Sequence, residues 1–270
     1  MLNPLSEEFM KSQKNRLAGK GIELASLAVV IIIWQFIADF IIKKKLILPS
    51  FTDVLAAFVD IILSWAFLID LFTSLIHFGI GMVAALIIGI PIGVAMGWFK
   101  YVDKAIDPLI EIVRPIPPLA WIPFAIVWFG LTQISAGFVI FVGAVFPIVI
   151  NTVSGFKGVP RVYVEAAKVL GCMNDRSLIR HVAFPSAFPS IAAGIRIAMG
   201  VGWMCLVAAE MFGVSNNGLG YKIWWHYYLH QMDYVLVYML VLGFLGLVID
   251  RIFRWYVDGK ILKWRKGVVV

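Results

Sequence analysis

Glu111, Arg114, Arg196 and Glu210 are ionisable side chains set inside long apolar runs, where a charge is expensive and is kept for a function or a partner. Glu111 and Arg114 stand three apart, so on one helix they can pair with each other and need no substrate. Arg196 and Glu210 stand fourteen apart, roughly 21 Å along a helix, and cannot pair. Arg196 therefore has two readings: a structural partner on another helix, with Glu111 the candidate, or contact with an anion in transit. His226 and His230 have the i, i+4 spacing of metal ligands. They sit among Trp224, Trp225, Tyr227 and Tyr228, the aromatic density of a membrane–water interface, and no glutamate follows His226, so no metal is expected. Cys172 and Cys205 form no C-x-x-C pair, and H-E-x-x-H, G-x-S-x-G and the phosphate-binding G-x-x-x-x-G-K-[ST] are absent from the sequence. No catalytic residue and no bound cofactor are expected in this chain.

A second group of residues concerns a pathway rather than a reaction. Pro115, Pro117, Pro118 and Pro123 fall within 114–123 beside Trp121. Each proline lacks an N–H donor, and each disfavours the helical region for the residue before it, so a crossing here must be broken. Irregular backbone at membrane depth survives only inside protein or beside a water-filled cavity. The break is thus either a gate or pathway lining, or a buried kink. Gly81, Ala85, Gly89, Gly93 and Gly97 recur every four residues, a flat strip suited to close helix packing, with Pro91 favouring a bend within it.

The elements that must position these residues are membrane helices. The chain is 61% hydrophobic and 14% charged, far from the roughly 45–50% and 25% of a soluble domain. Apolar windows at 22–42, 72–99, 108–131, 135–153, 192–213 and 235–257 predict an all-α membrane protein of six crossings, with a shorter apolar stretch at 54–68. Placing both termini inside puts seventeen lysines and arginines in 1–21, 99–110, 154–192 and 251–270, against Lys43, Lys44, Lys45 and Lys222 outside. That asymmetry predicts an N-in, C-in chain. The formal charge of +7 therefore reads as a topology signal, not a nucleic-acid surface. The expected organisation is a cytoplasmic tail 1–21 with no cleavable leader, a membrane domain 22–257 and a cytoplasmic tail 258–270.

The loop 154–192 is the most informative stretch. It predicts a short helix over 162–170 stopped by Gly171, and a second over 175–182 ending near Pro185 and Pro189. The order Glu165-Ala166-Ala167, Gly171 and Pro185 resembles the EAA loop of ATP-binding-cassette importer permeases, with Gly171 to Pro185 one residue longer than that family's spacing. Arg114 to Pro123 followed by Trp128-Phe129-Gly130, Leu48-Pro49-Ser50, Gly194 to Ala198, Val207 to Glu210 and Gly218-Leu219-Gly220 are similar to the branch importing taurine, alkanesulfonates, nitrate or bicarbonate.

The resemblance implies a type I importer-permease fold in a prokaryotic cell membrane, surrounded by lipid. Its EAA loop would be the coupling helix that docks on an ATPase. It further implies a second permease copy, two cytoplasmic ATPase subunits that hold ATP and Mg, and an extracellular solute-binding protein. The pathway or gate residues expected on this reading are Arg114, Pro115, Pro117, Pro118, Trp121, Arg196 and Glu210. Relatives of similar pattern carry neutral heterocyclic vitamin precursors, which leaves the solute open. An ion-driven secondary transporter, the remaining alternative, would show repeated broken helices, and no second copy of the proline segment occurs.

Overall fold

A computed structural model describes residues 25, 26 and 28–261, and among these the chain is helical with no strand. The predicted tail 1–21, the opening of the first crossing and residues 262–270 lie outside the described residues. The described parts of 1–63 and 226–237 form one compact unit, and those of 64–225 and 238–270 another.

In the first unit, α1 (Ala28–Ile42) is apolar but shorter than a full crossing over its described length. Leu48-Pro49-Ser50 serves to start α2 (Phe51–Ile62). The Ser50 hydroxyl accepts from the Asp53 N–H at 3.2 Å while the Asp53 carboxylate accepts from the Ser50 N–H at 3.3 Å, a reciprocal capping box. Trp34 Nε1 donates to the Pro49 carbonyl at 3.1 Å, tying α1 to that cap.

The second unit is built on three helices: α3 (Trp65–Trp98), α6 (Gln133–Lys157) and α9 (Phe184–Met211). Helix α6 is the central one, with 61% of its apolar window buried, against 17% for that of the span Met232–Ile261, which contains α11 (Met232–Tyr256). The small-residue strip explains the α3–α6 seam. A Cβ on Gly81 would stand 2.5 Å from Ile140 Cβ, one on Gly89 3.1 Å from Ile148, and one on Gly93 2.5 Å from Thr152. Partners advance in step along both helices, so α3 and α6 run parallel. On the other face of α6, Gly143 meets Cys205 and Gly155 meets Ser190, so α9 runs antiparallel. Trp203 Nε1 donates to the Leu242 carbonyl at 3.1 Å and Arg196 reaches Asp250, which turns α11 antiparallel to α9.

Parallel neighbours need a connection that returns across the layer, and the proline segment supplies it. Helix α4 (Lys100–Val113) and the stretch Pro118–Phe129, which contains α5 (Ile122–Phe129), are bent by 88°. The break demanded by the prolines is therefore present. Four helices are individually long and apolar enough to cross a membrane, five with this bent pair counted as one, so the sixth predicted crossing is not reached among the described residues.

Three boundaries differ from the sequence reading. Helix α3 starts at Trp65 rather than near 72, because Ser64 caps it and the polar Asp70, Ser74 and His77 are buried within it. The predicted loop 99–110 is helical: Val102, Ile106 and Ile110 repeat every four residues and pack on the α3–α6 core, leaving Lys100 and Lys104 exposed. The second loop helix does not stop at Pro185 and Pro189. Helix α8 (Asp175–Leu178) passes through a π-turn, Ile179–Ala183, into α9. There the Phe184 N–H donates to the Ile179 carbonyl, and Pro185, which has no N–H, enters the first turn of α9, where none is required.

Candidate coupling and translocation site

Helix α7 (Arg161–Val169) occupies the predicted EAA segment. Ala167 is buried, anchoring one face, while Glu165 and Ala166 are exposed. The helix ends on a Schellman motif: the Gly171 N–H donates to the Lys168 carbonyl at 3.0 Å and the Cys172 N–H to the Ala167 carbonyl at 2.9 Å. Gly171 takes φ +93°, which explains why glycine stands there. Around this end Val162, Tyr163, Val169, Leu170 and Met173 are all more than half exposed, an apolar surface on a charged segment. Pro185 lies beyond it, at the start of α9.

At the broken crossing, Arg114 caps α4, and Pro115 and Pro117 are exposed. Pro118 packs against the α6–α9 crossing at Gly143 and Val201. Trp121 meets Phe138 edge-on, with centroids 6.3 Å apart, and its Nε1–H is enclosed without an acceptor among the described residues. Glu111 and Arg114 are both exposed, and no ion pair joins them.

Arg196 has a partner the sequence reading did not name. Its Nε donates to Asp250 Oδ1 at 2.8 Å, and Arg254 holds the other oxygen of Asp250 at 2.9 Å. These three residues border a cleft of ≈ 750 Å³ between α9 and α11, lined also by Phe78, Trp203 and Met204.

The sequence profile of the family described as binding-protein-dependent transport system inner membrane component matches residues 85–260. The chain belongs to this family. It is 44% identical to a putative ABC transporter permease protein of Methanocaldococcus jannaschii, over 91% of each chain. It is 34% identical to the nitrate import permease protein of Synechocystis, over 84% of each chain, and 34% identical to a bicarbonate transport system permease protein of Synechococcus elongatus, over 91% of each. Among solved structures it resembles the MetNI methionine ABC transporter in an inward-facing form, with TM-score 0.55, 19% identity, and 70% of this chain and 96% of that chain covered. This permease is accordingly a multi-pass inner-membrane protein and a transport component.

Glu210 of the permease lies in a different setting from Arg114 and Arg196. It is fully buried, accepts from Ser74 Oγ at 2.8 Å and the Gly220 N–H at 2.8 Å, and shares a hydrogen bond of 2.8 Å with His77 Nδ1. Asp70, also buried, accepts from the Gly218 N–H at 3.0 Å, and Ser74 Oγ accepts from the Leu219 N–H at 2.9 Å. The sequence reading did not single out Asp70, Ser74, His77 or Asp250. A signal was there for the first three: spaced four and three apart, they form one polar stripe on α3 that runs on into the Gly81 strip.

Proposed function

We propose that this chain is the transmembrane half of an ATP-driven importer that passes a small oxyanion, such as nitrate, bicarbonate or a sulfonate, delivered by an extracellular binding protein. The observation that carries the reading is α7: a short helix with a fixed glycine end, offering Glu165, Ala166 and an apolar rim where α6 ends and α9 begins. Such a surface suits a groove on a cytoplasmic ATPase. Lys100, Lys157, Arg161, Lys168, Arg180 and Arg254 all fall toward this end of the bundle, which supports placing it inside and, with α1 as a sixth crossing, an N-in, C-in chain. An ATPase pair and a single six-helix chain call for two permease copies, most simply a homodimer, with ATP and Mg held by the partner subunits.

The solute class is supported by the nitrate and bicarbonate relatives and by the broken crossing, where Trp121 Nε1–H is a donor with no acceptor among the described residues. Arg114 and Arg196 would add positive charge along the route. Glu165→Lys should release the ATPase from the purified complex without altering the membrane fold. If the ATPase still co-purifies and its hydrolysis still responds to a binding protein, α7 is not the docking element. Single cysteines at 116–122, in a chain lacking Cys172 and Cys205, should react with water-soluble thiol reagents in a nucleotide-dependent way. Uniform protection in all states would leave a buried kink.

A further inference from the structure

The N–H groups of Gly218, Leu219 and Gly220, just before and at the start of α10 (Leu219–Tyr228), have no acceptor within that helix. Here each is met by a buried side chain from another element. The Gly218 N–H goes to Asp70, the Leu219 N–H to Ser74 and the Gly220 N–H to Glu210. Ser74 relays the arrangement by donating in turn to both oxygens of Glu210, at 2.8 and 2.9 Å. His77 Nδ1 stands 2.8 Å from Oε1 of Glu210 and braces it. Lys222 stands 3.7 Å from Asp70 Oδ2.

The backbone is shaped to this arrangement. Gly218 has φ +130°, and a Cβ there would stand 2.5 Å from Glu210 Cδ. A Cβ on Gly220 would stand 2.7 Å from the Val207 carbonyl. The Gly-Leu-Gly triplet is therefore the form a chain must take to lie directly on the carboxylate. The preceding turn is fixed as well. A second Schellman motif closes α9, with the Gly213 N–H on the Glu210 carbonyl and the Val214 N–H on the Ala209 carbonyl, and Val214 buried in the core. Beyond the clasp, α9 runs without a break from Glu210 to Phe184, about 39 Å at 1.5 Å per residue, and ends beside the segment that carries α7.

We propose that Asp70, Ser74 and Glu210, braced by His77, are a clasp that keeps α10 locked to α3 and α9 throughout the transport cycle, so that a load on the outer connector reaches the α7 end through one rigid body. The proposal rests on the reading of α7 as the ATPase contact. It makes Glu210 a positioning residue, held by donors rather than by solute.

The test uses the unusual chemistry of these amides: having no helical acceptor, their protection from hydrogen exchange reports the clasp directly. In the permease–ATPase complex, exchange of the segment 212–222 should be slow both without nucleotide and after trapping with ATP and vanadate. Glu210→Ala and Ser74→Ala should each accelerate it at least tenfold while exchange in 81–98 of α3 stays as in the wild type. His77→Ala should do the same, and His77→Asn, which returns a polar group near the Nδ1 position, should restore protection. If Glu210→Ala does not assemble, Ser74→Ala and the His77 pair decide alone. Unchanged protection in these variants, or wild-type protection that disappears on trapping, would overturn the clasp. Failure of the wild-type complex to trap nucleotide would instead count against the permease–ATPase reading.

Discussion

Substituting alanine along α3 tests whether the α3–α6 seam has the geometry described. At Gly81 an added Cβ would lie 2.5 Å from Ile140 Cβ and 2.7 Å from the Gly137 carbonyl, one of them backbone that cannot rotate away. Carbon atoms settle at about 3.5–4.0 Å, so the helices must part by roughly 1 Å. Overpacking of this kind costs ~1–3 kcal/mol, against up to ~1 kcal/mol returned by replacing a helical glycine with alanine. Gly81→Ala should therefore lose ~1–2 kcal/mol. Gly79 lies on the same helix two residues earlier with nothing within 4 Å, so Gly79→Ala should be neutral or slightly stabilising. Gly89→Ala should fall between them, because its nearest neighbour at 3.1 Å is a side-chain methyl of Ile148. Thermal unfolding of the three variants in one detergent, read by loss of the monodisperse species, gives the order. Equal stability of Gly81→Ala and Gly79→Ala would refute the parallel seam and with it the need for a returning, broken crossing.

Gly171→Leu must hold a left-handed φ at a cost of ~1–2 kcal/mol, which should displace Leu170 and Met173 and cut ATPase co-purification at least tenfold, whereas Gly171→Asn should retain most of it; equal loss in both would point away from backbone geometry. Arg196→Gln should barely change thermal stability, since Asp250 keeps Arg254 at 2.9 Å and half-exposed pairs contribute only ~0–1 kcal/mol. A tenfold fall in anion transport at unchanged stability would place Arg196 on the route, and unchanged transport would leave it a structural partner of Asp250. In the first unit, the Lys45 ammonium and then the Ser50 cap hold the Asp53 carboxyl below its ordinary range, although partial burial works against them. Its contribution is therefore complete above about pH 4 and is lost as pH falls through the lowered folded value. Asp53→Ala should cost ~1 kcal/mol at neutral pH, a difference that shrinks as acid protonates the wild-type carboxyl, and a pH-independent difference would remove the charge from the account.

Much of this fold is legible in the sequence because local rules decide it. Four prolines within 114–123 force the break whatever surrounds them, and Gly171 after an amphipathic nine-residue helix forces its end. The strip at Gly81, Ala85, Gly89, Gly93 and Gly97 announces a close seam, though not which helix forms its other side. What escapes is whatever depends on a partner far along the chain. Asp70 interrupts the apolar run and makes α3 read as starting seven residues late, since hydropathy counts a polar side chain as though it faced water or lipid. Pro185 reads as a stop, because a π-turn that moves its missing donor into a first turn leaves no mark in composition.

The ionisable residues show the same limit most sharply, because inside a membrane the meaning of a charge depends on its partners. Arg196 and Glu210 look equivalent in sequence: each is one charge in an apolar helix with no partner within a turn. Arg196 finds Asp250 across the antiparallel α9–α11 pair and stays half-exposed beside a cleft. Glu210 is enclosed by donors from α3 and from the chain ahead of it. Removing a partner from such a buried site typically costs ~3–5 kcal/mol, several times the cost at the surface pair. The two charges should therefore separate in experiment: variants of Glu210 should lose stability and transport together, and variants of Arg196 should lose transport alone if an anion passes there.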